Sequence, residues 1–370
     1  MIGLWIRSVW ERKGVSGKLG WLLLVPFSWI YRFAVQCRNL SYNRGWLRVK
    51  ALDRPVISVG NLTVGGTGKT PGCLWLAQEL AKHGLKVAIL SRGYKRRESQ
   101  PVILAFNGKP LTAGDARADI AAAGDEPTMM ARIYGQTVAV GNDRYESGQE
   151  LLRRQTVDVF ILDDGFQYRR LKREVDLLLL GRDATGRMLP CGPFREPRKA
   201  VRRADLILLT DAQEKWKSVL KAPLPQSCYF GSLKAAALIG FESKHWKERP
   251  LSLLYRSRIL TVSGIANAAG FYSIIREWEG EVVDTLEFPD HHDYTAQDWQ
   301  YINRRGRYVD LILTTEKDLV KLIQFPFAKD KLLAVRVALV VENGAALIQE
   351  VLNRIGAAAN PDHSSSEKTS

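Results

Sequence analysis

A glycine-rich turn between a strand and a helix constrains this chain more than any other feature. It reads VISVGNLTVGGTGKTP over residues 56–71, where branched residues predict a buried strand before the turn and an apolar stripe predicts a helix after it. This order is typical of a phosphate-binding P-loop, whose backbone N–H groups and helix N-terminus face phosphate oxygens. We expect a nucleoside triphosphate here, with Lys69 on its β- and γ-phosphates and the Thr70 hydroxyl on Mg²⁺.

One position departs from the usual pattern. G-x-x-x-x-G-K-[ST] requires glycine where this chain has Thr63, and Gly65 and Gly66 can supply the turn instead. An ordinary strand-to-helix turn that contains GKT by chance is the alternative, and the regular periodicity on both sides disfavours it. The residues predicted to line the nucleotide are Thr63, Val64, Gly65, Gly66, Thr67, Gly68, Lys69 and Thr70.

The N-terminal segment is basic and apolar. Residues 1–50 hold nine Lys or Arg and one acid, Glu11, so more than half of the chain's net charge of +15 lies in this segment. The apolar run 19–31 lies between basic flanks and is shorter than the roughly 20 residues of a membrane-spanning helix. We therefore predict an interfacial helix on an anionic membrane, with a core helix as the alternative.

The remainder alternates between strand and helix patterns. Several strands are continuous apolar runs, which are typical of parallel strands covered on both faces, so the predicted fold is a doubly wound α/β sheet of the P-loop NTPase type with a second, smaller α/β domain. Four scattered cysteines indicate reduced thiols in a cytoplasmic compartment. The predicted boundaries are a membrane-anchoring segment 1–50, an ATP-binding domain 51–225, a linking ribbon 226–252, a C-terminal α/β domain 253–357 and a disordered tail 358–370.

Two adjacent carboxylates follow an apolar strand in the segment VDVFILDDGFQYRRL. Asp163 and Asp164 fall at the strand's C-terminal end, which in a doubly wound sheet lines the ligand crevice. Mg²⁺ needs only one or two carboxylates when phosphate oxygens and water complete its shell. A helix cap and a turn residue are the alternative, and the P-loop favours the metal site.

Two further loops carry groups suited to proton transfer. Asp125, in the sequence GDEP, is either a helix-capping residue or a carboxylate near the γ-phosphate, and the local sequence favours neither. The loop FPDHHDY contains His291 and His292, of which one is a candidate for proton transfer, with a structural role as the alternative. Arg92, Arg144 and Arg195 stand beside turn residues, where arginines are solvated or bind phosphate with two N–H groups.

Together these motifs resemble the tetraacyldisaccharide 4'-kinase family of lipid A biosynthesis. The resemblance runs from the basic N-terminus to about residue 355 and rests on GNLTVGGTGKTP, SRGY, GDEP, NDR, LDDGFQ, GPFRE, FPDHH and TTEKD, in that order. It implies that Mg-ATP phosphorylates the 4'-hydroxyl of a tetraacyldisaccharide 1-phosphate at the cytoplasmic face of the bacterial inner membrane, forming lipid IVA. Lipid substrate and anionic membrane are the implied partners, and neither nucleic acid nor a protein partner is expected.

The resemblance also implies roles for individual residues. Asp125 would accept the proton of the sugar hydroxyl, with His291 rather than His292 as its partner, because His291 directly follows the aspartate of its motif. We expect the two on different domains, brought together when the domains close. Lys69 and Thr70 would contact ATP and Mg²⁺, Asp163 and Asp164 the metal, and the groups around phosphates, metal and sugar would be Arg92, Arg144, Gln167, Arg195 and Glu196.

One position departs from the family pattern, and two other classes of protein share some features of this chain. Tyr168 stands where the family often has histidine, which leaves a substrate role for that position open. A membrane-associated regulatory ATPase of the partitioning type shares the glycine loop, but it usually has a signature lysine where this chain has Val64. A nucleic-acid binder would explain the positive charge, yet the sequence contains no recognisable binding motif of that kind.

Overall fold

The computed structural model describes residues 2–93, 96, 100–104, 113–211, 213–220, 227–264, 269–328 and 330–359. Its helices are α1 (Ile2–Glu11), α2 (Gly14–Asn43), α3 (Lys69–Lys82), α4 (Ala113–Ala123), α5 (Asp125–Arg132), α6 (Arg144–Arg154), α7 (Gln213–Leu220), α8 (Ala269–Glu277), α9 (Ala296–Arg305), α10 (Glu316–Leu322) and α11 (Gly344–Ala359). Its strands are β1 (Val56–Gly60), β2 (Val87–Ser91), β3 (Val102–Leu104), β4 (Thr137–Val140), β5 (Val159–Asp163), β6 (Val175–Leu180), β7 (Leu206–Leu209), β8 (Ser227–Glu242), β9 (His245–Arg249), β10 (Arg258–Ser263), β11 (Glu281–Glu287), β12 (Leu311–Thr315) and β13 (Leu332–Val341).

The chain divides into two compact units, each made of separate stretches of sequence. The first unit comprises residues 1–87, 152–232 and 339–370, and the second comprises 88–151 and 233–338. Residues 88–151 thus group with the C-terminal half of the chain, although the predicted ATP-binding domain 51–225 includes them. The predicted domain boundaries stay a prediction, because compactness alone does not test them.

A parallel sheet forms the centre of the first unit. Its strand order is β5-β1-β6-β7-β8, and each neighbouring pair is parallel. The strands β1, β5, β6 and β7 are buried throughout, which explains their continuous apolar sequences. Val59 of β1 lies opposite Asp163 of β5, so the glycine turn after β1 and the two carboxylates lie at the same edge.

The N-terminal helix α2 is longer than the sequence predicts. It runs for 30 residues and continues through Pro26, although the apolar run within it covers only residues 19–31. Only four of its 30 residues are buried: Gly17, Gly20, Ser28 and Val35. A core helix would be buried along much of its length, so the core-helix alternative does not fit α2. By length and composition α2 could cross a membrane.

The second unit contains two groups of strands. In one, β2 pairs parallel with β4 and β3 pairs antiparallel with β4. In the other, β11, β10, β12 and β13 are parallel, and β8 and β9 form an antiparallel hairpin. The helix α10 packs against α4 and α5, which joins the two groups.

The range predicted as a linking ribbon contains one long strand and a hairpin. The strand β8 continues through Lys234, whose polar side chain takes an exposed position of that strand. Ser243 and Lys244 both adopt left-handed backbone conformations, as a two-residue hairpin turn requires. The α/β class, the predominance of parallel pairing and the N-terminal apolar helix are confirmed.

Candidate functional site

The nucleotide loop has its glycines where the backbone needs them. Gly65 has φ +120° and Gly68 has φ +82°, the left-handed region that side chains disfavour. Gly68 directly precedes α3, which begins at Lys69. Within the loop, the Asn61 side-chain amide donates to the Thr67 hydroxyl at 2.7 Å. The loop is therefore held in shape by its own residues, with the N-terminus of α3 at its end.

Thr63 shows why glycine is not required at that position. It forms an antiparallel bridge with Phe194, and the Val64 N–H donates to the Pro193 carbonyl at 2.8 Å. A bridge of this kind uses extended backbone, which any residue adopts, and the side chain of Thr63 is buried. The departure from the usual pattern therefore leaves the turn intact, and Gly65 rather than Gly66 supplies the positive φ.

Asp164 joins the nucleotide loop to the GPFRE segment. Its carboxylate accepts hydrogen bonds from Arg195 at 2.8 and 3.0 Å, and the Lys69 ammonium lies 3.6 Å from Oδ1. Its backbone has φ +49°, an uncommon conformation that occurs often at functional sites. Gln167 lies beside this group, since its amide donates to the Asn61 carbonyl at 2.9 Å. The predicted residues Lys69, Asp164, Gln167 and Arg195 are thus brought together.

Asp163 lies in a more enclosed position than Asp164. It is buried, and the Cys73 thiol donates to its Oδ1 at 3.6 Å. Burial and the neighbouring Asp163 charge raise the pKa of Cys73 well above its usual value, so this thiol keeps its proton and remains a donor. The sequence did not point to Cys73, because a scattered cysteine carries no signal of its own.

The residues at this edge fit a magnesium ion bound together with a nucleotide. The described part of the chain contains no cluster of three or more His, Cys, Asp or Glu side chains able to enclose a metal. Mg²⁺ needs no such cage, because it takes one or two carboxylates and completes its shell with phosphate oxygens and water. Asp163, Asp164 and the Thr70 hydroxyl are the oxygen donors present.

Glu196 lies in a buried group of hydrogen bonds that includes a residue of α2. Its side chain is fully buried, and Arg203 donates to both carboxylate oxygens, at 2.9 and 3.0 Å. The Asn39 amide of α2 donates to Oε2 at 2.7 Å. Burial alone raises the pKa of Glu196, but Arg203 and Asn39 outweigh it, so the pKa lies below its usual value. These contacts join α2 to Arg203, and the predicted place of Glu196 near phosphates, metal and sugar stays a prediction.

A second group of polar residues lies within the second unit. Nδ1 of His291 is 3.0 Å from both carboxylate oxygens of Asp125. The predicted contact is therefore present and involves His291, whereas His292 bonds Asp298 at 3.0 Å. In this structure both residues belong to the second unit and are in contact. That they lie on different domains and come together when the domains close stays a prediction.

Two lysines of α10 complete this group, Lys317 within the TTEKD motif and Lys321 just after it, and neither was predicted from the sequence. Lys317 Nζ lies 3.1 Å from His291 Nε2, and Lys321 Nζ lies 3.6 Å from Asp125 Oδ2. Their spacing of four residues places them on one face of α10. The Thr315 hydroxyl caps this helix by accepting from the Asp318 N–H at 3.2 Å. That spacing, which begins in a motif already noted, was the signal that could have identified them.

The charge of Asp125 is set by competing effects. Burial favours the neutral acid, but the hydrogen bond from His291 and the charges of Lys317 and Lys321 outweigh it, so the pKa of Asp125 lies below its usual value. Asp125 is therefore a carboxylate at neutral pH. It is the first residue of α5 and follows the N-cap Gly124, so Asp125 does not occupy the capping position that the sequence left open.

A cavity of about 230 Å³ adjoins this pair within the second unit. Asp125, His291 and Lys321 line it together with Arg117 and Gln324. It leaves open space beside the carboxylate and the imidazole.

The other predicted residues are spread along the chain. Arg92 is exposed after β2, while Arg144 is buried at the start of α6 and donates to the Asn142 carbonyl at 3.1 Å. Tyr168 is half-buried, and its carbonyl accepts from Arg173 at 2.8 Å. Tyr94, part of the SRGY motif, lies outside the described residues. The contacts of Arg92 and Arg144 carry no evidence on phosphate binding.

The parallel sheet, the nucleotide loop and the adjoining carboxylates define a P-loop enzyme of phosphoryl transfer. The family model described as Tetraacyldisaccharide-1-P 4'-kinase, LpxK, matches residues 20–356. The chain belongs to this family, and it is a kinase, a phosphotransferase with an alcohol group as acceptor.

Individual relatives agree with this assignment. A tetraacyldisaccharide 4'-kinase from Geobacter sulfurreducens is 37% identical over 327 residues, covering 86% of this chain and 90% of that protein. One from Aquifex aeolicus is 37% identical over 301 residues, covering 81% and 89%. The crystal structure of the "apo" form of Aquifex aeolicus LpxK in complex with ATP superimposes with a TM-score of 0.74 at 32% identity, covering 90% of this chain and 99% of that one. No support for a regulatory ATPase comes from these relatives.

Proposed function

We propose that this kinase transfers the γ-phosphoryl group of ATP to the 4'-hydroxyl of a tetraacyldisaccharide 1-phosphate, forming lipid IVA. The observation that carries the proposal is the buried Asp125 carboxylate held by His291, in a chain that also has a formed P-loop. A phosphoryl acceptor with a hydroxyl group needs a base, whereas nucleotide binding alone does not. The identity of the acceptor is inferred from the relatives named above, which are tetraacyldisaccharide 4'-kinases.

The first unit supplies the groups that bind the phosphates. Lys69, at the start of α3, contacts the β- and γ-phosphates, and Arg195 adds positive charge beside Asp164. Asp163, Asp164 and Thr70 would hold Mg²⁺, which neutralises phosphate charge when bound. Gln167 orients Arg195 and the loop, and Arg92 and Arg144 contact phosphate or sugar.

The second unit supplies the base. Asp125 accepts the proton of the 4'-hydroxyl as the sugar oxygen attacks the γ-phosphorus. The bond between that phosphorus and the bridging oxygen breaks, and ADP leaves with the electron pair. His291 donates through Nδ1 to Asp125 and fixes the direction of the carboxylate. Most of the rate enhancement in such a reaction comes from positioning and charge stabilisation.

We propose that α2 attaches the protein to the cytoplasmic face of the inner membrane. Its outward side chains include Leu23, Phe27 and Phe33, which are 67%, 61% and 68% exposed. An exposed apolar face of this size marks a surface that is covered in use, and basic residues flank it. A substrate with four acyl chains resides in a membrane, so this location brings enzyme and acceptor together.

Transfer of labelled γ-phosphate to the tetraacyl disaccharide 1-phosphate in detergent micelles tests the proposal. Wild type should produce labelled lipid, and Lys69→Ala and Asp125→Ala should nearly abolish it. Lys82→Ala is the matched control, because Lys82 is an exposed lysine at the other end of α3. ATP hydrolysis to free phosphate without labelled lipid would instead favour the regulatory ATPase.

A further inference from the structure

Lys317 lies in the middle of the polar group in the second unit, yet the proposed mechanism gives it no role. Its ammonium is 3.1 Å from His291 Nε2 and 3.0 Å from Asp290 Oδ1. It also lies 3.9 Å from Asp125 Oδ2 and 3.7 Å from Glu126 Oε1. Its side chain is only 13% exposed, so these contacts replace most of its water.

The chemistry of the two groups fixes the proton on the imidazole. A lysine ammonium has three donors and no acceptor, so a hydrogen bond with Nε2 requires that Nε2 carry no proton. The one proton of a neutral imidazole is then on Nδ1, which is the nitrogen facing Asp125. Burial lowers the pKa of Lys317, but Asp125 and Glu126 outweigh it and the pKa is raised, so the ammonium stays charged.

We propose that Lys317 is a positioning residue that keeps His291 in its neutral, Nδ1-protonated form. The proposal rests on the assignment of Asp125 as the base. With Lys317 in place, Asp125 receives one hydrogen bond from a neutral ring and keeps the capacity to accept a proton. Without it, Nε2 takes up a second proton, and the resulting imidazolium pairs with Asp125 and reduces its basicity.

The other charged groups around the ring are consistent with this role. Asp290 lies 3.9 Å from Nε2 and would favour a charged ring, but it is bonded to Lys317. Lys321 reaches Asp125 rather than the ring, and Asp318 holds it at 3.0 Å. His292 belongs to a separate contact with Asp298. Arg117 and Asp293 line the cavity beside the ring, and Lys317 is a cation in direct contact with the nitrogen on the far side of the ring from Asp125.

Nitrogen NMR of histidine-labelled full-length protein in detergent, without ATP or lipid, tests the protonation state directly. The chain has five histidines, and the His291 signals are those lost in His291→Gln. At neutral pH, wild type and Lys317→Arg should show a protonated Nδ1 and an unprotonated Nε2. Lys317→Met should show protons on both nitrogens, while the His292 signals stay unchanged. A proton on Nε2 in wild type, or identical wild-type and Lys317→Met spectra, would overturn the proposal.

The kinase assay adds a second readout that a purely structural role would not move. Lys317→Met should lower kcat at neutral pH roughly tenfold to a hundredfold, leave KM for ATP unchanged, and shift the acid side of the pH–rate profile to higher pH. Lys317→Arg should restore the profile, and it keeps the test decisive if Lys317→Met fails to fold. A loss that is uniform across pH would count against positioning. If wild type phosphorylates no lipid, the proposed function fails, and the NMR result still decides the role of Lys317.

Discussion

At the scale of single residues, two of the predicted site residues have left-handed backbone conformations, one in each unit. Asp164 has φ +49° beside the nucleotide loop, and His291 has φ +60° beside Asp125. Such conformations cost of order 1–3 kcal/mol in residues other than glycine, and they persist where surrounding contacts enforce them. Arg195 provides such contacts for Asp164, and Asp125 and Lys317 for His291.

Replacing the base should separate catalysis from nucleotide binding. Asp125→Asn keeps the shape of the side chain but removes its ability to take a proton, so kcat should fall about 10²- to 10⁴-fold. KM for ATP should change little, because Asp125 belongs to the second unit and the nucleotide loop to the first. Steady-state kinetics with varied ATP measures both values. Equal losses in kcat and in ATP affinity would contradict the assignment of Asp125 as the base.

The lowered pKa of Asp125 also predicts how stability depends on pH. Because the folded-state pKa lies below the unfolded one, the charged carboxylate stabilises the fold above the unfolded value, and this contribution is lost as pH falls through the folded value. The difference in free energy of unfolding between wild type and Asp125→Asn should therefore narrow on acidification from pH 7 to below about 4. Urea titrations of both proteins provide the measurement, and a constant difference would refute it.

At the scale of elements, the nucleotide loop tolerates Thr63 because of its neighbouring strand contact. The bridge to Phe194 keeps that position extended, and the positive φ values fall on Gly65 and Gly68. A sequence pattern specifies residue types at fixed spacing and cannot show which peptide carries the turn. Lys317 and Lys321 were missed for a related reason, since their partners come from α5 and from the FPDHH loop, far away in the sequence.

Replacing Thr63 with glycine should therefore not improve ATP binding. Thr63→Gly should leave ATP affinity within about twofold and lower the free energy of unfolding by about 0.5–1 kcal/mol, because it adds backbone freedom to an extended position. Gly65→Ala should weaken ATP binding strongly, since φ +120° is unfavourable for alanine. Calorimetric titration with ATP compares the two variants. Tighter binding by Thr63→Gly would show that the loop is impaired by threonine.

The attachment of α2 depends on the buried carboxylate of Glu196. Glu196→Ala leaves Arg203 and Asn39 without their acceptor, and losing one partner of a buried ion pair should cost about 3–5 kcal/mol of unfolding free energy. Thermal unfolding in detergent measures this cost. Lys199→Ala, in the same segment but exposed, is the control and should change stability by less than about 0.5 kcal/mol. A similar stability for Glu196→Ala and wild type would instead favour a substrate role for Glu196.

At the scale of the whole molecule, the proposed membrane contact and the packing of the fold involve different surfaces of α2. Its buried residues face the first unit, whereas Leu23, Phe27 and Phe33 are exposed. The combined variant Leu23→Ser, Phe27→Ser and Phe33→Ser should leave the unfolding temperature nearly unchanged and strongly reduce binding to vesicles containing anionic lipid. Flotation of protein with vesicles measures binding. Undiminished flotation would place the membrane contact elsewhere on the protein.

The class of the fold could be predicted from sequence because local patterns determine it. Buried parallel strands such as β6 read as unbroken apolar runs, and α3 follows directly from its glycine turn. The grouping of residues 88–151 with residues 233–338 could not be predicted, because it depends on contacts between α10 and α5 that no local pattern encodes. The neighbouring positions of Asp125 and His291 were accessible only through the family resemblance.

The interleaving of the two units has a consequence for how the protein is made on the ribosome. The first unit includes α11, whose Glu350 accepts hydrogen bonds from Ser227 and Tyr229, and whose Arg354 contacts Asp205. The P-loop is translated early, but the unit that contains it stays incomplete until residues near 350 leave the exit tunnel. A nonsense mutation before the codons of α11 therefore deprives the nucleotide-binding unit of part of its own core, such as Leu347 and Val351, although the P-loop itself has been translated.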